Sequence, residues 1–337
     1  MTERYSVVLE DVTFTYEGSK ESAIEGVDLK IESGELVAIV GRTGAGKSTT
    51  IYAIGGIIPN HIRGDLSGDV LIDGLNTREH SLYELAQRVG VVMDDPEAHI
   101  VSFTVEEDVA FGPCNLGLPK EEVYERLNTA LEATRLTGLR KRNPYNLSGG
   151  EKQSLAIAGV LSMRPRILAL DEPTSMLDPL GKARVFDVLR DLNRRYGITV
   201  IFSGHDTERI AELADRIVVM QDGGIALEGR PSDVLQGTDL LEKAGVRLPE
   251  TTRLMDLLRK DGVWKGPLPT TLEEAYAHLA RALREKGVPH RPLPRERRRA
   301  VRPVSVEPII RVRDLHHVYP GGVEALKGID LDVYPGE

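Results

Sequence analysis

The sequence predicts an α/β fold organised around a parallel β-sheet. Short continuous apolar runs recur along the chain, as in Leu36–Val40 and Ile167–Leu170. A strand that is covered by helices on both faces of a parallel sheet has this composition. Helical patterns separate the runs, and strands that alternate with helices favour a doubly wound arrangement.

The predicted strands fall into two groups. Val7–Phe14 and Val27–Ile31 alternate between apolar and polar residues, which indicates strands with one buried face. The continuous apolar runs indicate strands of the buried sheet, and they are Leu36–Val40, Val89–Met93, Ile167–Leu170, Thr199–Phe202 and Ile217–Met220.

Three segments carry clear helix signals. Pro119 and Pro179 are each expected at the first position of a helix, where proline needs no backbone donor. Thr271 and Glu274 fit a capping box that opens a helix through Leu283. The buried faces of the first two helices are predicted to be Val123, Leu127 and Leu131, and Val185, Val188, Leu189 and Leu192.

Composition narrows the function classes. The 337 residues include 52 acidic and 43 basic side chains, a net charge of −9, which disfavours a nucleic-acid binder. The single cysteine, Cys114, rules out an intrachain disulfide and favours a reducing compartment. The apolar runs are too short to span a bilayer, so any membrane-spanning segments must come from other chains.

A glycine-rich loop follows the first buried strand. Gly41–Ser48 matches the pattern G-x-x-x-x-G-K-[ST], and the helix-compatible run Ser48–Ile54 follows it. Small residues let backbone amides curl around phosphate oxygens, and the helix N-terminus adds a positive dipole end. Lys47 would reach the β- and γ-phosphates, and the Ser48 hydroxyl would bind Mg²⁺.

Two carboxylates end a second buried strand. Asp171 and Glu172 follow Ile167–Leu170, at the strand end where ligands bind in α/β sheets. Asp171 could hold the metal, whereas Glu172 could take a proton from an attacking water. Both could instead cap the next turn, but the phosphate loop makes the metal and base roles the favoured interpretation.

The segment Tyr145–Gln153 identifies the family. Its LSGGEKQ sequence resembles the signature motif of ATP-binding cassette (ABC) ATPases, and the phosphate loop before it and LALDEPTSMLD after it match the family in order and spacing. His205, in FSGHD, resembles the switch histidine, and Tyr16 resembles the aromatic residue that stacks on adenine. The resemblance covers residues 5–235 and implies the P-loop fold, with an antiparallel β subdomain and a helical signature subdomain.

The resemblance implies a role for each matching residue. Glu172 is the expected general base, His205 contacts the γ-phosphate, and Ser48 and Asp171 hold Mg²⁺. Asp178 lies in a loop that communicates between two sites. The nucleotide-binding residues are expected to be Tyr16, Gly41, Arg42, Thr43, Gly44, Ala45, Gly46, Lys47, Ser48, Thr49, Asp94, Ser148, Gly149, Gly150 and Asp171.

The signature residues Ser148–Gly150 would contact the ATP that a partner domain holds. The family therefore implies a dimeric nucleotide sandwich, in which each site takes its phosphate loop from one copy and its signature from another. The expected partners are a second ABC domain and transmembrane transporter subunits, without nucleic acid. The expected location is the cytoplasmic face of the cell membrane.

The stretch Val91–Leu118 resembles the corresponding part of energy-coupling factor (ECF) ATPases, which drive uptake of vitamins, cobalt or nickel. Met93 and Asp94 stand where the family usually has Phe-Gln, His99 where Gln is common, and Cys114 where Glu is common. Asp94 could offer an oxygen to Mg²⁺, but it also brings negative charge towards the γ-phosphate. We expect slower hydrolysis or an altered dependence on Mg²⁺.

The end of the chain repeats its beginning. Asp314 and Tyr319 match Asp11 and Tyr16 at an offset of 303 residues, and Gly336–Glu337 matches Gly34–Glu35 at an offset of 302. We expect an ABC domain in residues 1–230, a helical accessory region in 231–290, a Pro/Arg-rich linker in 291–307 and the truncated start of a second ABC domain in 308–337.

Two other functions stay open at this point. One is a soluble ABC ATPase that acts on the ribosome or DNA. Only 100 residues separate Lys47 from Leu147, which leaves no room for the long coiled coil of repair-type relatives. The other is a regulatory copy that binds ATP but hydrolyses it poorly because of Asp94, although the presence of Glu172 argues against complete inactivity.

Overall fold

The computed structural model describes residues 4–285, 307–319 and 323–336. The chain falls into two compact units, divided between Ala282 and Leu283. Among the residues that the structure describes, none of the helices has both the length and the apolar character needed to cross a bilayer.

The first unit contains two β-sheets. One has four antiparallel strands in the order β2-β1-β4-β5, and the other has six strands in the order β10-β9-β3-β8-β7-β6. The strands are β1 (Tyr5–Tyr16), β2 (Ile24–Glu32), β3 (Leu36–Val40), β4 (Gly64–Ile72), β5 (Leu75–Asn76), β6 (Val89–Val92), β7 (Ile167–Leu170), β8 (Thr199–Ser203), β9 (Arg216–Gln221) and β10 (Gly224–Gly229).

The six-stranded sheet confirms the predicted core. Strands β6, β7, β8, β3 and β9 pair in parallel, and β10 adds an antiparallel edge. Every residue of β3, β7 and β8 is buried, as their continuous apolar sequences predict. Because β3 pairs with β8 and β8 with β7, the loops that follow these three strands leave neighbouring points on one edge of the sheet.

Eight helices accompany these sheets up to Leu213. They are α1 (Lys47–Ile54), α2 (Ile57–Asn60), α3 (Leu82–Leu85), α4 (Val105–Asn115), α5 (Lys120–Ala133), α6 (Gly149–Leu161), α7 (Pro179–Tyr196) and α8 (Thr207–Leu213). The predicted apolar faces of α5 and α7 are buried. Pro179 is the first residue of α7, but Pro119 is the N-cap of α5, so its predicted helical position is wrong by one residue.

Four helices follow the last strand of this unit: α9 (Pro231–Val234), α10 (Thr238–Lys243), α11 (Glu250–Lys260) and α12 (Leu272–Glu285). The predicted capping box of α12 is only half formed. The Glu274 amide donates to Thr271 Oγ1 at 3.2 Å, but the Glu274 carboxylate accepts from the amide and hydroxyl of Thr270 instead of closing on Thr271. The carboxylate therefore stabilises the turn one residue before the predicted position.

The second unit contains a hairpin of β11 (Ile310–Tyr319) and β12 (Val323–Val333). Its register repeats that of β1 and β2, because Val312 pairs with Leu331 as Leu9 pairs with Leu29. The strand irregularity after each of these pairs also recurs: Asp11 has a φ of 50° and Asp314 a φ of 42°. The sequence repeat is thus a structural repeat. The predicted linker, 291–307, lies outside the described residues except for its last position, and the predicted domain boundaries remain predictions.

Candidate active site

The loop Gly41–Ser48 joins β3 to α1, as its sequence predicts. Two of its glycines are required by close contacts. A Cβ on Gly41 would lie 2.4 Å from the Met220 carbonyl oxygen, and a Cβ on Gly46, where φ is +100°, would lie 2.7 Å from the Ala23 carbonyl oxygen. The path of the loop therefore depends on glycine at both positions.

Most backbone amides of this loop are available to a ligand. Within the described chain, only Arg42 and Ala45 of the run Arg42–Thr49 donate their N–H groups to a protein acceptor. The amides without a protein acceptor are those of Thr43, Gly44, Gly46, Lys47, Ser48 and Thr49. A concave run of free amides at a helix N-terminus is suited to bind the oxygens of a phosphate chain.

Lys47 is buried, with 5% of its side chain exposed. Its Nζ donates to the carbonyl oxygens of Gly41 at 3.1 Å and Arg42 at 3.2 Å, and lies 3.5 Å from Glu172 Oε1. The ammonium group is thus held over the loop and beside the predicted general base.

Asp171 and Glu172 share one hydrogen-bonding partner. The Ser203 hydroxyl donates to Asp171 Oδ1 at 2.6 Å and accepts the Glu172 amide at 2.8 Å. Tyr52 donates its hydroxyl proton to the other Asp171 oxygen at 3.3 Å. Burial, together with the charges of Asp171 and Asp94, raises the pKa of Tyr52 to about 12, so this hydroxyl stays a donor at neutral pH.

The structure brings the two predicted catalytic residues together. Glu172 Oε1 lies 2.8 Å from His205 Nε2, and both side chains line one cavity. Glu172 has a φ of 46°, which is uncommon for a residue with a side chain, and the Ser203 contact holds its backbone. The sequence analysis did not identify Ser203, although this residue lies two positions before His205 in the FSGHD segment.

The predicted metal ligands fit a nucleotide-bound Mg²⁺ ion. In the described part of the chain, no three His, Cys, Asp or Glu side chains form a metal cluster. The Ser48 hydroxyl and the buried Asp171 carboxylate are oxygen ligands that could hold Mg²⁺ together with nucleotide oxygens, because Mg²⁺ usually binds one or two carboxylates plus the phosphates of its substrate. When bound, the ion would neutralise charge on the phosphates.

Neighbouring hydrogen bonds fix two further parts of the predicted site, the Tyr16 side chain and the backbone beside Asp94. The Tyr16 hydroxyl hydrogen-bonds with Thr49 Oγ1 at 3.0 Å, so the aromatic side chain is fixed beside the start of α1. Asp94 is exposed and follows Met93, whose amide donates to His99 Nε2 at 3.0 Å. His99 therefore fixes the backbone next to Asp94, a contact that the sequence did not indicate.

The signature residues form a separate surface. Ser148 is the N-cap of α6, and its hydroxyl and amide are both engaged with Glu151. A Cβ on Gly150 would lie 3.0 Å from the Gly181 Cα, at the point where Asp178 caps α7. Among the described residues, the hydrogen bonds of Ser148 and Asp178 are local to α6 and α7, and none reaches the phosphate loop.

The profile of the ABC transporter family matches residues 24–175. A Pyrococcus abyssi ABC transporter ATP-binding protein is 43% identical over 278 residues, which cover 82% of this chain and 99% of that relative. The energy-coupling factor transporter ATP-binding protein EcfA of Methanothermobacter thermautotrophicus is 40% identical over 279 residues, 82% of this chain and 87% of the relative.

A third relative matches nearly the whole chain. An ABC transporter ATP-binding protein of Caldanaerobacter subterraneus is 38% identical over 335 residues, or 98% of this chain. The chain spans 58% of the length of that relative.

Two solved structures resemble a large part of this chain. Clostridium perfringens cbiO1, part of the ABC transporter complex cbiONQ, has 34% identity and a TM-score of 0.64, with coverage of 75% of this chain and all of that chain. A post-hydrolysis dimer of the cassette MJ0796 bound to ADP and Pi has 30% identity and a TM-score of 0.58, with coverage of 67% and 98%.

Proposed function

The chain belongs to the ABC transporter ATPase family, and from that premise we propose that it powers an ECF-type importer of a vitamin or a transition-metal ion. The convergence of Lys47, Glu172 and His205 beside the free loop amides is the observation that carries the ATPase mechanism. The identity of about 40% to EcfA and the similarity to cbiO1 support the ECF assignment.

In this mechanism, the loop amides and Lys47 bind the phosphate chain of ATP, which Mg²⁺ would partly neutralise. Glu172 accepts the proton of the attacking water, and its carboxylate is positioned by Lys47 at 3.5 Å and by His205 at 2.8 Å. His205 keeps that carboxylate in place and contacts the γ-phosphate. Tyr16, held by Thr49, stacks on the adenine.

The active unit is a dimer of cassettes. Ser148 and Gly149 are exposed at the start of α6, Gly150 is buried behind them, and the hydrogen bonds of Ser148 among the described residues do not reach the phosphate loop of its own chain. This supports a role of the exposed end of α6 at the site of a facing copy. The N-terminus of α6 would direct its amides at the γ-phosphate that this copy holds. The dimeric MJ0796 cassette provides the family precedent for such pairing.

Membrane subunits are proposed to dock on an apolar groove of the first unit. A cavity of about 420 Å³ lies between α4 and α6, and its lining includes Val101, Phe111, Leu116 and Met163. Phe111 is 49% exposed, so an apolar helix from a transmembrane partner would bury side chains that water now reaches. His99 lines the same groove and accepts the amide of Met93, the residue before Asp94. The groove is therefore connected to the backbone beside Asp94 through His99.

Residues 308–337 are proposed to begin a second ABC domain. The hairpin repeats the register of β1 and β2, and Asp314 has the same left-handed backbone conformation as Asp11. The apolar side chains of β1 and β2 are buried in the first unit. In the hairpin, Leu315, Ile329 and Leu331 are exposed, although they match the buried residues Val12, Val27 and Leu29.

The proposal is tested by ATPase assays and co-purification. The full chain is expected to hydrolyse ATP with Mg²⁺, and Lys47→Ala is expected to remove ATP binding. Lys265→Ala, an exposed lysine without an ion pair in the described residues, is the control. Pull-down from the native host should recover membrane subunits. Recovery of ribosomal RNA or DNA instead, or hydrolysis unaffected by Lys47→Ala, would contradict the proposal.

A further inference from the structure

The end of helix α10 lies directly on the phosphate loop. The Arg42 amide donates to the Ala244 carbonyl oxygen at 3.0 Å. Ala244 is the C-cap of α10, and Gly245 follows it in the left-handed conformation with a φ of +69°. Among the described residues, two loop amides have a protein acceptor, and one of them is therefore bonded to the helical region that follows the six-stranded sheet.

The approach at this point is close enough to exclude a side chain. A Cβ on Gly245 would lie 2.9 Å from the Arg42 Cβ and 3.7 Å from the Arg42 Cα. Real Cβ atoms essentially never lie 2.9 Å from another heavy atom. The Arg42 atoms that they would meet are backbone atoms or the Cβ next to them, so they cannot move aside as the end of a flexible side chain could. Any side chain at position 245 would therefore displace the start of the phosphate loop.

Arg42 transmits such a displacement to the phosphate-binding groups. Its carbonyl oxygen accepts from the Ala45 amide at 3.2 Å and from Lys47 Nζ at 3.2 Å. Its guanidinium pairs with Asp222, in the turn between β9 and β10. The peptide group before Arg42 is thus bonded to the end of α10. The peptide group after it is bonded to the Lys47 ammonium group and to the Ala45 amide.

The same part of the chain reaches the catalytic side of the site. The Glu250 amide donates to Glu208 Oε1 at 3.2 Å, on helix α8, which begins two residues after His205. Arg247 and Leu248 line the cavity that Glu172 and His205 also line. Residues 244–250, the accessory segment, therefore border both the phosphate loop and the catalytic pair.

We propose that the accessory segment is part of the nucleotide site, with Gly245 as a positioning residue that sets the phosphate loop through Arg42. This inference rests on the proposed ATPase function and adds a contribution from a segment outside the six-stranded sheet. Movement of α10 and α11, the helices on either side of the accessory segment, would change the position of Lys47. A partner that binds these two helices could therefore alter ATP affinity without touching the nucleotide.

A matched pair of glycine substitutions tests this proposal in the full chain. Gly262 follows α11 as Gly245 follows α10, its φ is +70°, and a Cβ there would meet no atom within 4 Å. Gly245→Ala and Gly262→Ala therefore impose similar backbone strain, but only the first pushes on Arg42. We expect Gly245→Ala to raise the Kd and KM for ATP by about tenfold, whereas Gly262→Ala leaves both within about twofold of wild type.

A rescue variant makes the mechanism specific. Arg42→Gly removes the Cβ that Gly245→Ala would strike, but it also removes the Arg42–Asp222 ion pair, so the Arg42→Gly single variant is the reference. Gly245→Ala is expected to raise the Kd for ATP less in the Arg42→Gly background than in wild type. Equal ATP affinity of the two alanine variants, or an equal effect of Gly245→Ala in both backgrounds, overturns the proposal. If the wild-type protein itself fails to bind ATP, the proposed ATPase function is overturned as well. Failure of the Gly245 proposal alone is recognised because the wild-type protein then still binds ATP.

Hydrogen exchange of the wild-type chain gives a measurement that requires no variant to fold. The Arg42 amide, bonded to Ala244, is expected to exchange at least about tenfold more slowly than the Gly44 amide, which has no acceptor among the described residues. Equally fast exchange at the two positions would overturn the proposal.

Discussion

Oε1 of Glu172 lies 2.8 Å from Nε2 of His205 and 3.5 Å from Nζ of Lys47. The carboxylate is therefore shared by two groups that come from different loops of the parallel sheet. Strands β3, β7 and β8 are neighbours, so the loops after them meet although the three residues are far apart in sequence.

Glu172→Gln tests this arrangement. The amide keeps the size of the side chain but cannot accept the proton of the attacking water, so hydrolysis is expected to fall by about 100- to 10,000-fold. ATP binding should be retained, because the loop amides and Lys47 are unchanged. Single-turnover hydrolysis and calorimetric ATP titration measure the two effects. A variant that hydrolyses ATP at the wild-type rate would show that Glu172 is not the base.

Ser203→Ala tests the link between Asp171 and Glu172. The substitution removes the acceptor of the Glu172 amide and a donor to Asp171, both at a buried position. We expect the free energy of unfolding to fall by about 1–3 kcal/mol and hydrolysis to fall with it, because Glu172 loses its backbone support. Urea unfolding and ATPase assays measure the two quantities.

Thr134→Val is the control for that experiment. The Thr134 hydroxyl is fully buried and bonds to the Ala130 carbonyl oxygen at 2.8 Å in α5. This variant should lose stability but keep the wild-type ATPase activity per folded molecule. If both variants lower activity equally, the Ser203 contact has no specific role in the site.

The sequence predicted the strands of the site because their burial on both faces leaves a continuous apolar pattern, as in Leu36–Val40. It also singled out Glu172 and His205 as candidate catalytic residues, because the family motifs fix their identities, and the structure places the two side chains 2.8 Å apart. Their catalytic roles stay predictions. It could not predict Ser203 as the bridge, since a serine in a buried strand has no distinctive pattern. The contact between Gly245 and Arg42 was equally hidden, because it joins positions that no local periodicity relates.

Asp94→Gln tests the departure from the family pattern. Asp94 and Asp171 both raise the pKa of Tyr52, which indicates that their charges face the same side chain. Removal of the Asp94 charge should reduce repulsion towards the γ-phosphate, worth about 4 kcal/mol for a unit-charge pair at 4 Å and an effective dielectric of 20 before Mg²⁺ and Lys47 offset it. We expect faster hydrolysis or a shifted Mg²⁺ titration. No change in either would contradict this role of Asp94.

The lowered pKa of His99 predicts that the free energy of unfolding falls as the pH is lowered. Burial lowers the pKa of His99 below its usual 6.5, although the charges of Asp108 and Asp95 oppose the shift. The unfolded chain therefore binds a proton at a higher pH than the folded chain, so stability is greatest above pH 6.5 and falls as the pH drops towards the folded pKa. Protonation would also remove the acceptor of the Met93 amide.

His99→Gln is the variant that isolates this effect, because a glutamine oxygen can accept the Met93 amide without titrating. Between about pH 6.5 and 5, the free energy of unfolding should fall less steeply in this variant than in wild type, by at most about 1.4 kcal/mol per pH unit. Burial also raises the pKa of Asp108, a group whose contribution to stability is instead lost as the pH rises through its folded pKa. Asp108→Asn should therefore change the profile in the opposite sense, and identical profiles for wild type and His99→Gln would exclude His99 as the titrating group.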